Sequence, residues 1–502
     1  MKYTNNYDLY KPEGKDQFNI QYSNDNMDTI DAQLKYLNDN IAAHNVNIHI
    51  TTDKKLIGQS LVCSKGNKSY TQVVPASMEV VFEVPETGTW SILNTVTNRV
   101  KEIECNYYGD YYMEVRCWTL YSAIIDHTIL DPRDCITYAD DAEGMNKGDY
   151  DQWYNAPIFK DIRPCILIDG VRQGYLDRNN FMAYENGNNA YIETYTNEVM
   201  IEFPRIGYKI KWLNDTQLLV SVTDEPNNDS FEYGAFSLDA YNDCDKIYLG
   251  AFLSCKINDK HYSSYGQTIH VNEHMLYCMQ DARARGKGFQ FMSFRQLTLV
   301  QCLYIIFFGD LNSQSLVGYG KANSSSSSTS GPDTTCGDSV AYGFMCESIR
   351  QSNMTYMTDG EHHTKCFGLE DLWGNYRYIV AGAGISSYNL MIVPYASAQS
   401  SLDSNWSTMA NWDNYGNYNI TTAIGGYIRL PLGDNHGGFL PKHVGGSATT
   451  LYADYSSFSG TYLTAGGYCN EGDSAGIFAI WGEGGSAGGH LGFRLAYYHL
   501  EK

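Results

Sequence analysis

The stretch GLEDLWGNYRYIVAGA, residues 368–383, places a tryptophan between two glycines. Gly368 and Gly374 allow tight turns, whereas Trp373 offers one of the largest apolar side chains that a core can bury. We therefore predict that Trp373 anchors the core of the C-terminal part of the chain, with a turn on each side of it.

A second stretch, LGFRLAYY (491–498), has the period of a β-strand. Apolar residues alternate there with a set that contains a single charge: Phe493, Leu495 and Tyr497 against Gly492, Arg494 and Ala496. We predict that Arg494 pairs inside the fold and has a structural role.

The whole chain is predicted to form several domains, because 502 residues are more than one hydrophobic core ordinarily contains. We predict an N-terminal segment with a helix at 1–45, a small β-domain at 46–120 and a larger domain at 121–502. The 42 tyrosines favour strands and contact surfaces. The predicted class is a multidomain, β-rich α+β protein.

The N-terminal helix carries an apolar seam with spacings of three and four residues, formed by Met27, Ile30, Leu34, Leu37 and Ile41. Such a seam is typical of a short coiled coil. The alternative is a single amphipathic helix lying on a neighbouring domain. We favour an oligomer.

Residues 46–117 change to a period of two, which predicts strands. The segments are NVNIHITT, KSYTQVV, MEVVFEVP, GTWSILNT, VKEIEC and YYMEVRC. Their number and length favour a β-sandwich of the immunoglobulin-like size class.

Two helices are predicted after a β-rich region at 121–270. The segment 271–288 ends in glycine, as helices often do, and the segment 293–312 is apolar on nearly all sides and is therefore expected to be buried. By composition alone, the Ser-rich segment 322–335 is typical of a linker.

Charge and cysteine content exclude several classes of function. The formal charge of −22 disfavours nucleic acid, and no apolar run reaches the length of a membrane span or a targeting signal. Thirteen cysteines without a CxxC pair indicate reduced thiols in a cytoplasm. The one His/Cys cluster, His362, His363 and Cys366, has no partner cluster, so we expect no metal and no cofactor.

Four blocks resemble the C-type-lectin-like fold in the variant of formylglycine-generating-enzyme-like domains. This variant occurs in phage tail receptor-binding proteins and in variable proteins diversified by retroelements. The blocks are RARGKGFQFMSFRQLTLVQCLYIIFFGDLNSQSLVGYG (283–320), GLEDLWGNYRYIVAGA, GGFLPKHVGGSATTLYADY (437–455) and AGIFAIW followed by GHLGFRLAYYHL. The resemblance covers residues 121–502 and implies that the Ser-rich segment is a loop inserted in the domain.

The N-terminal third has weaker resemblances to the same class of protein. YDLYKPEG and NDNMDTIDAQL are similar to the attachment segments of phage tail proteins, and residues 46–117 are similar to their small β-domains. The resemblance implies a virion protein that folds in the host cytoplasm. Its partners would be a bacterial surface receptor (glycan or protein), other tail proteins and two further copies of itself in a trimer.

The binding site is predicted from LYADYSSFSGTYLTAGGY (451–468), which has the Tyr/Ser/Gly composition of antibody binding loops. The resemblance puts it at the ligand-binding face, with GTYLTAGG and AGIFAIW as scaffold strands and 405–419 as an adjoining rim. Asn, Tyr, Ser, Asp and Gly, which are frequent in these two segments taken together, are also the residues that retroelement diversification yields, so the composition is compatible with such a system. The predicted outward-facing binding residues are Tyr452, Ser456, Ser457, Phe458, Ser459, Thr461, Tyr462, Tyr468, Asn470, Glu471, Asp473, Trp481 and Glu483.

The expected function is adhesion and not catalysis. A Cys-dependent oxidase is disfavoured because the segment 482–496 has no cysteine, the nearest being Cys469. A polysaccharide depolymerase and a purely structural tail protein stay as alternatives. Glu225-Pro226-Asn227 matches a tripeptide of calcium-dependent lectins, but its position upstream of the four blocks favours a simple turn.

Overall fold

The protein is described by a computed structural model over residues 2–3, 10–11, 27–35, 45–53, 56–96, 99–239, 242–322, 332–345, 360–386, 389–392, 418–419, 425–458, 462–484 and 488–500. The chain divides into two compact units, Met1–Trp118 and Thr119–Lys502. Strands dominate both, with few helices, so the predicted β-rich α+β class is confirmed.

The first unit contains helix α1 at residues 27–35. Its strands are β1 (Lys2–Tyr3), β2 (Tyr10–Lys11), β3 (Val46–Thr52), β4 (Ser60–Lys65), β5 (Lys68–Val73), β6 (Glu79–Val84), β7 (Gly88–Asn94), β8 (Arg99–Cys105) and β9 (Gly109–Val115).

Two sheets, in the orders β6–β3–β9 and β5–β4–β7–β8, enclose the core of this unit. Side chains alternate as predicted: in β6, Val80, Phe82 and Val84 are buried and the residues between them are exposed. Trp90 is fully buried, and its indole N–H donates to the Glu86 carbonyl at 3.1 Å. All six predicted strands are present, whereas β4 was not predicted.

The apolar seam of α1 is exposed only in part where the structure describes it, because Met27 is half-buried. Ile30 and Leu34 are 45% and 39% accessible. Leu37 and Ile41 lie outside the described residues. The predicted oligomer stays a prediction.

The helices of the second unit are α2 (Tyr150–Tyr154), α3 (Met275–Arg283), α4 (Phe294–Phe308) and α5 (Ser313–Leu316), with 3-10 turns at Phe159–Asp161, Gly234–Phe236, Val340–Tyr342 and Gly472–Ser474. Its strands are β10 (Leu120–Asp126), β11 (Ile136–Asp140), β12 (Arg163–Ile168), β13 (Val171–Asp177), β14 (Asn180–Tyr184), β15 (Glu198–Pro204), β16 (Gly207–Trp212), β17 (Gln217–Thr223), β18 (Ser237–Asp239), β19 (Asn242–Asp243), β20 (Lys246–Gly250), β21 (Cys255–Ile257), β22 (Lys260–Tyr262), β23 (Phe289–Phe291), β24 (Lys365–Cys366), β25 (Leu369–Glu370), β26 (Arg377–Ser386), β27 (Asn389–Ile392), β28 (Tyr418–Asn419), β29 (Gly425–Pro431), β30 (Pro441–Val444), β31 (Tyr455–Phe458), β32 (Tyr462–Gly466), β33 (Gly476–Glu483), β34 (Leu491–Gly492) and β35 (Leu495–Tyr498).

Three large sheets build this unit. Their orders are β11–β10–β17–β16, then β14–β13–β12–β15–β20–β35–β23, and β28–β27–β26–β32–β33–β31–β29–β30 with β34 on β26. The small pairs β18–β19, β21–β22 and β24–β25 stand apart.

Helix α4 is buried along its whole length, as its all-round apolar sequence predicts. It begins with a capping box between Ser293 and Gln296 and ends at Gly309, which has a left-handed φ of 57°. The amide of Gln301 donates to the carbonyl of Ile477 at 2.8 Å and so ties α4 to β33. The nine-stranded sheet is therefore covered by a helix on one face.

The predicted core anchor is confirmed. Trp373 is fully buried, and its indole N–H donates to the carbonyl of Gly318 at 2.9 Å. Gly374 has φ = 77°, and a Cβ there would lie 2.8 Å from the backbone nitrogen of Lys321. No other residue fits this turn without moving the backbone.

The stretch LGFRLAYY forms two strands where one was predicted. β34 pairs with β26 in the nine-stranded sheet, whereas β35 lies between β20 and β23 in the seven-stranded sheet. Arg494 sits at the crossing, fully buried, and donates to the carbonyls of Gly250 (2.7 Å), Ala251 (3.3 Å), Asp371 (3.3 Å) and Glu370. Its predicted structural role is confirmed.

The cysteines follow the expectation of buried thiols. Eleven of the twelve described cysteines are buried, and Cys117 is half-buried. Burial raises the pKa of Cys63, Cys135 and Cys244 to about 12. These thiols are therefore protonated at neutral pH and poor nucleophiles.

None of the helices among the described residues combines the length and the apolar character that a membrane crossing requires.

Candidate functional site

An open cavity of about 480 Å³ lies on the second unit, where β26 begins, β32 has ended and β34 begins. We call it the Arg377 pocket. Its lining residues are Arg377, Tyr468, Asn470, Glu471, Gly489 and His490.

Strand pairing brings the walls of the Arg377 pocket together. Arg377, the first residue of β26, is in register with Leu491 of the parallel strand β34, so His490 lies beside it. On the other side the chain leaves β32 through Gly467, which has φ = 98°. A Cβ there would lie 2.5 Å from that of Ala475, so a glycine is needed for the chain to turn toward Tyr468.

Arg377 is held by two carboxylates. Its guanidinium donates to Glu471 and to Glu483, and each of the three side chains is at most 20% accessible. The guanidinium also lies over the ring of Trp481, which is 6% exposed. The floor of the pocket is therefore a cation fixed between two acids and an indole face.

Aromatic and imidazole rings form the rim. The rings of Tyr468 and His490 meet edge to face with centroids 5.9 Å apart. The ring of Tyr376 lies 6.1 Å from Tyr468, and the backbone N–H of Tyr468 donates to Glu471 at 2.6 Å. These contacts hold Tyr468 in one orientation, half-exposed beside the exposed Asn470.

The ionisable groups of the pocket shift one another's pKa values. Burial alone would raise the pKa of Glu483, but the hydrogen bond from His490 and the charge of Arg377 outweigh it and lower the pKa. Burial raises the pKa of Tyr468 to about 12. At neutral pH the pocket therefore presents the Glu483 carboxylate beside the Arg377 guanidinium, and a neutral Tyr468 phenol.

The predicted binding residues are distributed over four environments. Tyr468, Asn470 and Glu471 line the Arg377 pocket, and Glu483 and Trp481 contact Arg377 beneath it. Asp473 is exposed and Ser457 is half-exposed. Tyr452, Ser456, Phe458 and Tyr462 are buried. Ser459 and Thr461 lie outside the described residues, as does most of the predicted rim at 405–419.

The prediction that Tyr452, Ser456, Phe458, Tyr462 and Trp481 face outward is wrong, because each is at most 6% exposed. The predicted scaffold strands β32 and β33 are present, but both of their faces are covered.

Each buried aromatic has identified neighbours. Tyr452 packs against Phe478 with ring centroids 5.2 Å apart, and its hydroxyl lies 3.1 Å from Nε2 of His127. Tyr462 joins a core cluster with Met275, Cys278 and Met279 of α3. These tyrosines are core residues.

Arg377, Gly489 and His490 were missed as site residues. They stand in the blocks 368–383 and 489–500, which were interpreted only as scaffold. Two features of the sequence could have indicated them. Arg377 is a charged residue at the start of an apolar segment, and Gly489 and His490 follow directly after a Gly-rich segment.

Other polar groups that resemble functional sites have local roles. The ring nitrogens of His363 bind Asp371 and Asp333, each at 2.8 Å. Burial alone would lower the pKa of His363, but the aspartates outweigh it and raise the pKa. Glu225 accepts a hydrogen bond from the amide of Asn228 at 2.8 Å, and the chain bends at Pro226, which confirms the predicted turn.

A scan against models of protein families matches none of them, and a search of curated proteins finds no match to this chain.

Proposed function

We propose that this protein is a receptor-binding protein of a phage or prophage tail and that it holds a bacterial surface ligand in the Arg377 pocket. In this proposal the second unit is a C-type-lectin-like domain and the sandwich of the first unit is an immunoglobulin-like spacer. The four sequence blocks support the assignment of the class. The blocks 368–383 and 489–500, together with the loop after β32, supply the walls of the pocket.

One observation carries the proposal. Tyr468, Asn470 and Glu471, chosen from sequence for binding, lie in one four-residue segment, and the fold brings this segment together with Arg377 and His490, which are remote in sequence, around one open cavity. Their neighbours Arg377 and His490 add a donor and a ring. Sites of this kind combine a few oriented polar groups with aromatic surface.

The chemistry of the pocket suits a polar surface ligand. The amide of Asn470 and the carboxylate of Glu471 can bind hydroxyl or amide groups, and the rings of Tyr468 and His490 can stack on an apolar face. These groups serve a glycan or a peptide loop of an envelope protein. The walls are fixed by ion pairs and strand pairing, so little ordering is needed on binding.

Binding is favoured over hydrolysis by the state of the two acids. A glycosidase needs one carboxylic acid with a raised pKa as proton donor. In the Arg377 pocket both carboxylates are held by the guanidinium, and the pKa of Glu483 is lowered. Neither acid is therefore set up to donate a proton.

Adhesion by such a shallow site depends on several copies. The exposed part of the α1 seam, with Ile30 and Leu34, supports a homotrimer, and the resemblance of the N-terminal segment supports its attachment to other tail proteins. Three weak sites on one particle bind far more strongly than one.

The experiment is cell binding by the purified full-length protein. The labelled protein is incubated with a panel of bacterial strains and measured by flow cytometry. Asn470→Ala with His490→Ala should weaken binding to the recognised strains more than about tenfold, as loss of central contacts does. The matched control is Tyr191→Ala, which removes a side chain of a residue that is 64% exposed in the same unit.

Three results would overturn the proposal. Unchanged binding by the double variant would place the site elsewhere. Equal loss in the Tyr191 control would show a nonspecific effect. Release of soluble sugar from purified envelopes would establish a depolymerase.

A further inference from the structure

A second cluster of polar side chains lies at the hairpin β21–β22 and the helix α3. It consists of His261 on β22, His270 and Glu273 before α3, and Cys278 on α3. One ligand atom from each lies within 4.8 Å of those of the other three. We call it the His261 cluster.

His261 is the least satisfied member. It is fully buried, with Nδ1 3.0 Å from the hydroxyl of Ser254, while its Nε2 is buried without a hydrogen-bond partner. Phe291 and Phe493 enclose the ring, with centroids 5.3 and 5.9 Å away. A buried ring nitrogen without a partner costs free energy unless something binds it.

The other three members already converge on one point. Nε2 of His270 lies 2.7 Å from Oε2 of Glu273, and Sγ of Cys278 lies 3.4 Å from the same oxygen. The ligand atoms of a tetrahedral zinc site are separated by about 3.3–3.8 Å, as follows from its bond lengths. Oε2 of Glu273 also accepts from Nζ of Lys256 at 3.0 Å, so an ion enters between the ligand atoms when the ammonium shifts toward Asp281 and the three side chains separate slightly.

The charge of the surroundings leaves room for a cation. Nζ of Lys256 lies 2.9 Å from Glu273 and 2.6 Å from Asp281, so one ammonium faces two carboxylates. One of these two carboxylates is therefore not neutralised by Lys256. When a divalent ion binds and Cys278 loses its proton to solvent, this carboxylate and the thiolate balance the two added positive charges.

We propose that the His261 cluster is a structural zinc site, with His261 Nε2, His270 Nε2, Glu273 and Cys278 as its four ligands. Two imidazoles, a carboxylate and a thiolate are a donor set that zinc accepts. Four protein ligands close the coordination shell, so the ion has no open position for a substrate.

The ion would join three segments that the ion pairs of Lys256 with Glu273 and Asp281 already connect. It fixes the β21–β22 hairpin to the loop before α3 and to α3 itself. Cys278 belongs to the same core cluster as Tyr462 and Leu491, which flank the strands of the Arg377 pocket. In this proposal the zinc stabilises the packing of α3 against β32 and β34.

The cluster around His363 differs from the His261 cluster in its ring nitrogens and in its ligand types. Both ring nitrogens of His363 are engaged by aspartates, and a thiol is absent from its two groups of potential ligands within the described parts of the chain. Cobalt can therefore distinguish the two clusters, because only a cobalt–thiolate site gives a sulfur-to-metal charge-transfer band.

The test uses full-length protein purified without a metal-affinity tag. Zinc content is measured by mass spectrometry, and Co²⁺ is then titrated into the zinc-depleted protein. We expect about one zinc ion per chain and a cobalt spectrum with tetrahedral ligand-field bands and the thiolate charge-transfer band. Absence of zinc together with a cobalt spectrum that lacks the thiolate band would overturn the proposal, and this test needs no variant.

Variants then assign the ligands. Cys278→Ser and His261→Gln should each weaken Co²⁺ binding more than about tenfold, since even outer-shell changes have effects of that size. Cys135→Ser is the matched control: its thiol donates to the Pro132 carbonyl at 3.3 Å, which a serine can still do. Binding retained by both ligand variants, or lost in the control, contradicts the assignment.

Discussion

The guanidinium carbon of Arg377 lies 4.3 Å from the ring centroid of Trp481, at the floor of the pocket that we propose for receptor binding. This contact explains why a tryptophan predicted to face a ligand is only 6% exposed. Trp481 supports the cation that orients Glu471 and Glu483, so its contribution to binding is indirect.

Arg377→Ala should destabilise the protein by about 3 kcal/mol, because removal of one partner leaves the buried charges of the others uncompensated. The free energy of unfolding is measured by urea titration. Arg377→Leu combined with Glu471→Gln and Glu483→Gln removes all three charges and should recover part of the loss. A triple variant that is less stable than the single one would show that charge compensation is not the role of Arg377.

Trp373→Ala should reduce the free energy of unfolding by about 3–5 kcal/mol, through the cavity and the lost hydrogen bond to Gly318. Thermal unfolding gives the measurement. Tyr191→Ala, at an exposed position, should change stability by less than about 0.5 kcal/mol. Equal effects in the two variants would mean that Trp373 is not the anchor of the core.

Asp310 should make stability depend on pH. Its side chain accepts from the backbone N–H of Asn312 at 2.9 Å, and burial raises its pKa to about 6. The folded state then binds a proton that the unfolded state releases near pH 4, so the contribution of Asp310 is greatest below about pH 4 and is lost as the pH rises to 6. The full effect is about 3 kcal/mol.

The measurement compares Asp310→Asn with the wild type at several pH values. The asparagine keeps the acceptor oxygen and cannot ionise, so the variant should gain relative stability as the pH increases from 4 to 7. Parallel stability curves for the two proteins would show that Asp310 does not titrate in this range.

The seam of α1 should determine the oligomeric state. Ile30→Asp with Leu34→Asp places charges on a face that is exposed in the single chain and should convert a trimer to monomers with little change in the melting temperature. Light scattering at micromolar concentration measures the mass. A wild-type monomer, or an oligomer that the substitutions leave intact, contradicts the prediction that the seam of α1 holds the oligomer together.

Much of the fold follows from local pattern. Six strands of the sandwich, the buried helix α4 and the anchor Trp373 were predicted because period and composition report burial directly. Strand β4, SLVCSK, was missed because its inward side chains include Cys63, and serines flank its apolar residues. A single strand was predicted at 491–498 because a continuous apolar alternation gives no sign that the chain crosses between sheets.

The site was predictable only in part. Tyr468, Asn470 and Glu471 lie in a loop, where polar residues in a turn-rich segment are exposed for local reasons. Tyr462 lies in β32 and Tyr452 in the turn before β31, and their burial depends on α3 and His127, which are remote in sequence. Alternation shows that a strand has two faces but not that both are covered. Arg377 and Leu491, which pair in the sheet, are also far apart in sequence, so local pattern does not predict that they meet.

The position of β35 between β20 and β23 has a consequence for synthesis on the ribosome. The edge of β20 stays open until the last block of the sequence has been translated, and so do the carbonyls of Gly250 and Ala251 that Arg494 binds. A chain that stops or shifts frame before β35 lacks β35 and Arg494, and it exposes the unpaired edge of β20. A chain without β35 cannot close this sheet, and its open edge favours aggregation over folding.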